Sequence, residues 1–418
     1  MTPRACFVFL VLLVAATPAA AQQPDAALER ARRILASVPL VDGHNDLPWE
    51  IRTNRDHPGD VAAYDLRTRT PGHTDLARLE AGMVGAQFWS IYVPGEIRDS
   101  GYARVQLEEF DIARRMIARY PEGLQLARSV ADIERAFREG KVASLLGMEG
   151  GHAIENSLGA LRAYYDLGAR YLTLTHNVTL DWADAGSDEH RHGGLTAFGK
   201  EVVREMNRLG MLVDLSHVSD GVMSDALDVA EAPVIFSHSS ARALTNHTRN
   251  VPDSILARLP KNGGVVMVTF VPDFVSEEVN RADATRMAEF RRRMQGVTDP
   301  AERRRIGQEV REAFPMPRAT LAQVADHVEH VRKVAGADHV GIGSDFDGIE
   351  IGPVGLEDVS TFPNLFAELV RRGWSDEDLR KLAGQNLLRA MRQAEAVSAR
   401  LSAARQPSTA TIQQLDGR

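Results

Sequence analysis

Cysteine is almost missing from this chain of 418 residues: the one it has, Cys6, sits in an N-terminal apolar stretch. If that stretch is removed as a leader, the mature chain has no thiol, which excludes a disulfide framework. A basic excess is missing too. Lys and Arg number 49 against 57 Asp and Glu, and the net charge is -8, so there is no electrostatic footprint for nucleic acid. Both signs are spread along the chain, as on a solvated, soluble surface. Also absent are a solenoid-length repeat and a membrane-spanning run; the best candidate, residues 7–16, falls short of the roughly 20 apolar residues a bilayer requires.

What that short run does resemble is an export signal. Arg4 precedes it, and Ala19, Ala20 and Ala21 offer a small-residue cleavage site before Gln22. Residues 1–21 therefore read as a secretory signal peptide, which implies a periplasmic or secreted protein with no stable membrane anchor after cleavage. The lack of cysteine agrees with a bacterial periplasm without settling the compartment.

With 44% apolar residues, the remainder is long enough for one barrel with insertions or for two ordinary domains. From about residue 38, short β-rich runs alternate with amphipathic stretches. Eight runs qualify as strands, at 39–46, 84–93, 142–149, 170–176, 211–217, 233–238, 264–271 and 339–345. Between them apolar residues recur at helical spacing, as in Phe198, Val202, Met206 and Leu209, or Leu321, Val324, Val328 and Val331. Eight strands alternating with helices predict a parallel (β/α)8 barrel over residues 22–395. The charge-dense stretch 277–318, with Arg291-Arg292-Arg293 and Arg303-Arg304-Arg305 among interleaved acids, reads as a helical surface insertion. Residues 396–418, rich in Ser, Ala, Gln and Thr, read as a poorly ordered tail.

The chemistry gathers where strands end. His44, Asp46, Glu149, His217, His238 and Asp345 each close an apolar run, and in a (β/α)8 barrel such ends converge on one mouth. His44 and Asp46 are two apart on a strand, so both can face that mouth and share a metal. Asp42 has the same parity but lies deeper and reads as structural. Glu149 closes Ser144-Leu145-Leu146-Gly147-Met148. A carboxylate there is costly to bury unless it is paired or metal-bound, and its two oxygens can bridge two cations. A salt bridge at the rim is the plainer reading. His217 and His238 follow Ser216 and Ser237 at the ends of successive strands, and neutral imidazole suits zinc. Asp214, of opposite parity, reads as structural. His176 and Asp345 remain to act on substrate, with Asp347 as the rival of Asp345. His152 reads as a loop histidine, while His190, His192, His247, His327, His330 and His339 default to surface roles.

Taken together, His44-Asn45-Asp46, Gly147-Met148-Glu149-Gly150, Leu172-Thr173-Leu174-Thr175-His176-Asn177 with Trp182-Ala183-Asp184, Asp214-Leu215-Ser216-His217-Val218-Ser219, Ile235-Phe236-Ser237-His238-Ser239-Ser240, Arg249-Asn250-Val251-Pro252 and Gly343-Ser344-Asp345-Phe346-Asp347-Gly348 resemble the motifs of the renal, or membrane, dipeptidases. The likeness runs from about residue 38 to 395 in matching order and spacing. It implies a barrel with two zinc ions per subunit, usually in a homodimer. On these positions it implies that His44 and Asp46 hold one zinc, His217 and His238 the other, and that Glu149 bridges them. It further implies that His176 and Arg249 bind substrate and that Asp345 binds substrate and transfers the proton. The chain departs from the animal enzymes in lacking their disulfides and a C-terminal lipid-anchor signal, and in carrying the charged insertion.

The chemistry then expected is dipeptide hydrolysis. A water bridging both zincs attacks the peptide carbonyl, with zinc and His176 stabilising the oxyanion. Asp345 moves the proton to the leaving amine, and Arg249 grips the C-terminal carboxylate. Dipeptides with a C-terminal D-residue are candidate substrates. Two alternatives stay open: the same site acting on another amide, such as an N-acyl amino acid or lactam, and a catalytically silent binding protein.

Overall fold

The computed structural model describes residues 25–97 and 101–417. The leader assigned to residues 1–21, Cys6 included, lies outside them. Nine strands are present among the described residues: β1 (Leu40–Asn45), β2 (Val84–Tyr92), β3 (Leu124–Leu126), β4 (Val142–Glu149), β5 (Ala169–Thr173), β6 (Leu212–Asp214), β7 (Val234–Phe236), β8 (Val265–Val268) and β9 (Val340–Ile342). All pair in parallel, and β1 bonds to both β2 and β9 while β2 also bonds to β4. The result is the expected closed eight-stranded barrel surrounded by helices. The ninth strand, β3, pairs only with the start of β4, Leu124 opposite Val142 and Leu126 opposite Ser144. Three residues are too few to show a period, so nothing in the sequence marked it.

Alternation along the strands builds two cores. Val41, Phe88, Leu145, Tyr171, Ile235 and Met267 fall in one apolar cluster and line the barrel interior. Their neighbours Leu40, Trp89, Leu146, Leu172, Phe236 and Val266 fall in the other, together with helix residues such as Phe198, Val202 and Val328. This is the period of two that puts successive side chains on opposite faces. The helices follow from equally local causes. Thr196 caps Ala197–Leu209 by accepting from the Gly199 amide, and Phe198, Val202 and Met206 are fully buried from that helix. Each such burial contributes about 1.5–3 kcal/mol. Leu321–Ala335 opens with a reciprocal Thr320–Gln323 capping box and buries Val324, Val328 and Val331. No described helix is long and apolar enough to cross a membrane.

The predicted insertion is a pair of helices, Glu277–Met294 and Pro300–Ala313. Val279 alone is buried in the first, and the surface carries pairs such as Arg292–Glu289 and Arg305–Glu309. The tail requires a correction. A helix runs through Asn386–Ala404 with Leu401 buried, and a further helix, Ile412–Asp416, packs Ile412 against the barrel's outer core. Asp416 accepts from the Thr196 hydroxyl at 2.7 Å, and Arg405 pairs with Glu231. The composition is polar, but Ala, Gln and Arg favour helix, and Leu401 and Ile412 are buried.

The strand ends also shift. β5, β6, β7 and β9 stop two or three residues before His176, His217, His238 and Asp345. The backbone leaves the ladder because side chains offer it other partners: the Asp214 carboxylate accepts from the Ser216 and Ser237 amides at 3.2 and 2.8 Å, and Asp42 accepts from the Ser344 amide at 2.6 Å. Those groups therefore stand on short turns just above the strands.

Candidate metal centre

The C-terminal mouth of the barrel gathers all of the proposed metal-binding side chains. His44 leaves β1 with its Nε2 3.3 Å from Asp46 Oδ2, 3.4 Å from Glu149 Oε2 and 3.9 Å from Asp345 Oδ1. On the other side, Glu149 Oε1 lies 3.0 Å from His217 Nε2 and 3.4 Å from His238 Nε2. One oxygen of Glu149 thus faces His44 while the other faces the His217–His238 pair, whose Nε2 atoms are 3.0 Å apart. His176 Nε2 is 3.8 Å from Glu149 Oε1. Three overlapping groups of donor atoms result: His44, Glu149 and His238; Glu149, His176 and His217; His44, Asp46 and Asp345.

Exposure divides the set. The side chains of His44, Asp46, Glu149, His217 and His238 are at most 8% exposed, whereas His176 and Asp345 reach 14% and 15% and open towards solvent. His217 and Asp345 also adopt left-handed backbone, with φ of 69° and 67°. Strain of about 1–3 kcal/mol at each is offset by the surrounding network, which aims both side chains at the centre. Gly348 is required there as well: a Cβ at that position would stand 2.3 Å from Asp46 Oδ2 and 2.6 Å from Asp345 Oδ1.

Electrostatics follow the packing. Burial alone would raise the Glu149 carboxyl, but His44, His176 and the His217 hydrogen bond outweigh it and hold the group well below the usual carboxylate range. Asp345 is pushed the other way, by burial and by Asp46 and Glu149 against the pull of His44. His217 and His238 are kept neutral, first by burial and then by neighbouring positive charge including Arg249. Neutral Nε2 atoms beside an ionised carboxylate form the donor set that a borderline cation such as zinc prefers.

Arg249 lies beside this group, buried, with its guanidinium 5.1 Å from the Phe274 ring and Nη1 donating to Ser239 Oγ at 3.4 Å. Burial lowers its pKa, and no described carboxylate forms an ion pair with it. Asp42 and Asp214 are structural, as expected: Asp42 accepts from Ser344 Oγ at 2.6 Å, Asp214 from Ser237 Oγ at 2.6 Å and Thr173 Oγ1 at 2.5 Å. Asp347 turns away from the centre and accepts from the His73 amide at 2.6 Å, so Asp345 is the member of that pair that joins the cluster. His152 is buried outside the centre, with Nε2 donating to the Val93 carbonyl at 2.7 Å. His327 and His339 correct the surface assignment. His327 Nδ1 accepts from the Ala241 amide at 3.0 Å and His339 Nδ1 donates to the Gly264 carbonyl at 2.7 Å, both within the fold.

Sequence reasoning missed the groups that stand behind the imidazoles. His44 Nδ1 meets the Tyr171 hydroxyl at 2.8 Å, His238 Nδ1 meets Ser237 Oγ at 2.8 Å, and His217 Nδ1 meets Asn177 Oδ1 at 3.3 Å. It also missed Trp49 and Tyr92, edge to face at 4.9 Å, with Tyr92 4.7 Å from the His176 ring. Inward parity was the signal for Tyr171, and Ser237 and Asn177 stood beside the histidines in the motifs; nothing local marked Trp49 and Tyr92.

A cluster of buried imidazoles and carboxylates at the C-terminal mouth of a (β/α)8 barrel defines a metal-dependent hydrolase. The match to known families makes this specific. Residues 28–405 match the family model of the membrane dipeptidases, peptidase family M19, and the chain belongs to that family. Among solved structures, a probable dipeptidase, PvdM, from Pseudomonas aeruginosa is 25% identical with a TM-score of 0.77, covering 90% of this chain and 100% of that one. A metallo peptidase from Rhodobacter sphaeroides, liganded with a phosphinate mimic of the dipeptide L-Ala-D-Ala, is 26% identical with a TM-score of 0.70 over 85% of this chain and 99% of that one. The dipeptidase AC, a metallo peptidase, is 26% identical with a TM-score of 0.68 over 85% and 98%. This chain is accordingly a metallo-dipeptidase.

Proposed function

We propose that the protein hydrolyses free dipeptides with two zinc ions per subunit, and that those with a C-terminal D-residue are among its substrates. The observation that carries the reading is the division of Glu149, one oxygen towards His44 and the other towards His217 and His238. The residues fit the ions. His44 Nε2 is buried without a hydrogen-bond partner, and a cation held with Asp46 and Glu149 satisfies it. His217 and His238 would hold the second ion with the other oxygen of Glu149. Bound there, such a pair lowers the pKa of water and polarises a peptide carbonyl.

The other roles belong to the protein's own groups. Asp345, partly open and raised in pKa, takes the proton of the attacking water and delivers it to the leaving amine. His176, on the open side of Glu149, donates to the carbonyl oxygen as charge develops there. Arg249 binds the free carboxylate through its unspent donors, which favours substrates ending one residue past the scissile bond. The ligand of the Rhodobacter sphaeroides relative mimics the dipeptide L-Ala-D-Ala, and this supports extending the substrate range to that configuration. Export through the leader of residues 1–21 and assembly as a homodimer complete the proposal, on the signal-like sequence and the family resemblance.

Elemental analysis of chelator-free protein, paired with hydrolysis of L-Ala-L-Ala, L-Ala-D-Ala and N-acetyl-alanine, tests the reading. Close to two zinc ions per chain and cleavage of both dipeptides are expected. Zinc at or below one ion, or a preference for the acetylated compound, would overturn it.

A further inference from the structure

Tyr171 stands inside the barrel with no exposure, its hydroxyl 2.8 Å from His44 Nδ1 and 3.3 Å from the Gly43 carbonyl. A carbonyl can only accept; with the single phenolic proton given to Gly43, the phenol oxygen accepts from His44 Nδ1. His44 then carries its proton on Nδ1, which leaves the Nε2 lone pair facing Asp46 and Glu149 at 3.3 and 3.4 Å.

The phenol is held in a made space. Gly147 on β4 pairs directly with Tyr171 on β5, and a Cβ at Gly147 would fall 2.0 Å from Tyr171 Cζ. Phe88 closes another side, its ring centroid 4.9 Å away. The missing side chain at 147, within the strand that carries Glu149, is what lets the ring lie across the barrel and reach His44.

We propose that Tyr171, seated against Gly147, is a positioning residue that fixes the tautomer and plane of His44, and so sets the affinity of the metal position shared by His44 and Asp46. This rests on the two-metal reading above. Partners behind metal-bound imidazoles typically tune affinity by about 10–100-fold. Tyr171 does so for one position only, because His217 and His238 take their Nδ1 contacts from Asn177 and Ser237.

Full-length Tyr171→Phe keeps the ring and removes one oxygen. Tyr164→Phe, which loses a buried phenol contact to the Ala153 carbonyl at 3.2 Å away from the centre, is the control. Gly147→Ala keeps the hydroxyl but displaces the ring that carries it. Binding is read by Co2+ titration of the metal-free proteins, following the visible absorption bands, and by Zn2+ competition against a chromophoric chelator; metal-free Tm and near-ultraviolet circular dichroism report the fold. The expected result is two binding phases in the parent, one of them weakened about 10–100-fold in Tyr171→Phe and in Gly147→Ala, the other within about twofold of the parent. The Tyr164→Phe protein should bind as the parent does. Both phases unchanged in Tyr171→Phe, or both weakened together with a lower metal-free Tm, would overturn the assignment. A parent that binds fewer than two ions would overturn the two-metal reading itself, and this proposal with it.

Discussion

Arg249 should prove to be the anchor for the substrate carboxylate, and its surroundings set the size of the effect. The guanidinium is buried, yet its contacts are one hydrogen bond of 3.4 Å to Ser239 and the face of Phe274. Most of its five N–H donors are therefore unspent. A carboxylate entering this place makes a desolvated, two-point contact, and breaking such a pair from one side costs about 3–5 kcal/mol. At 1.4 kcal/mol per tenfold, Arg249→Ala should lower kcat/KM for a free dipeptide by roughly two to three and a half powers of ten. Most of the loss is expected in KM. Lys should restore only part of it, since it lacks the planar fork. The decisive assay is a cycle in which the substrate's C-terminus is also blocked as an amide. Amidation should harm the parent enzyme severely and the Ala variant little, because the charge partner is already gone. Additive losses would refute the contact, and equal cleavage of free and amidated dipeptides by the parent would remove the anchor from the mechanism.

Three further outcomes are expected. Glu149→Gln should lose metal and activity together, whereas Asp345→Asn should keep its metal and lose roughly 100- to 10,000-fold in kcat; equal metal loss in elemental analysis of the two variants would contradict the division of roles. Burial first of all lowers the His327 pKa to about 4, so the folded state favours the neutral imidazole, whose Nδ1 accepts from the Ala241 amide. The stability this contributes is complete above the ordinary pKa near 6.5 and is lost as pH falls from there towards 4, on the order of 3 kcal/mol. Thermal unfolding of parent and His327→Gln between pH 7.5 and 4.5 should show a flatter dependence in the variant; parallel curves would refute it. Truncation after Ala404 removes the buried Ile412 and the Asp416–Thr196 bond, and should lower Tm without changing metal content. An unchanged Tm would mean that the tail contributes nothing to the fold.

By itself, the sequence determined what depends on short-range pattern. Phe198, Val202 and Met206 lie on one face at helical spacing whatever their neighbours, so the helix and its buried side were legible. His44, Asp46, Glu149, His217, His238 and Asp345 were legible because a polar group closing an apolar run is costly unless it has a task. Tertiary structure decided what depends on register and on partners far along the chain. Asp345 and Asp347 share parity, and only the turn that gives Asp347 to His73 separates them. The division of Glu149 between two histidine sets requires strands more than sixty residues apart to close on each other. Tyr171 meets His44 across 127 positions through a gap left by Gly147. The tail looked too polar to order, and it is ordered with Leu401 buried and Ile412 packed into the apolar cluster outside the barrel. Local pattern reports the preferences of a side chain, whereas its partner is set by how the closed barrel brings distant strands into contact.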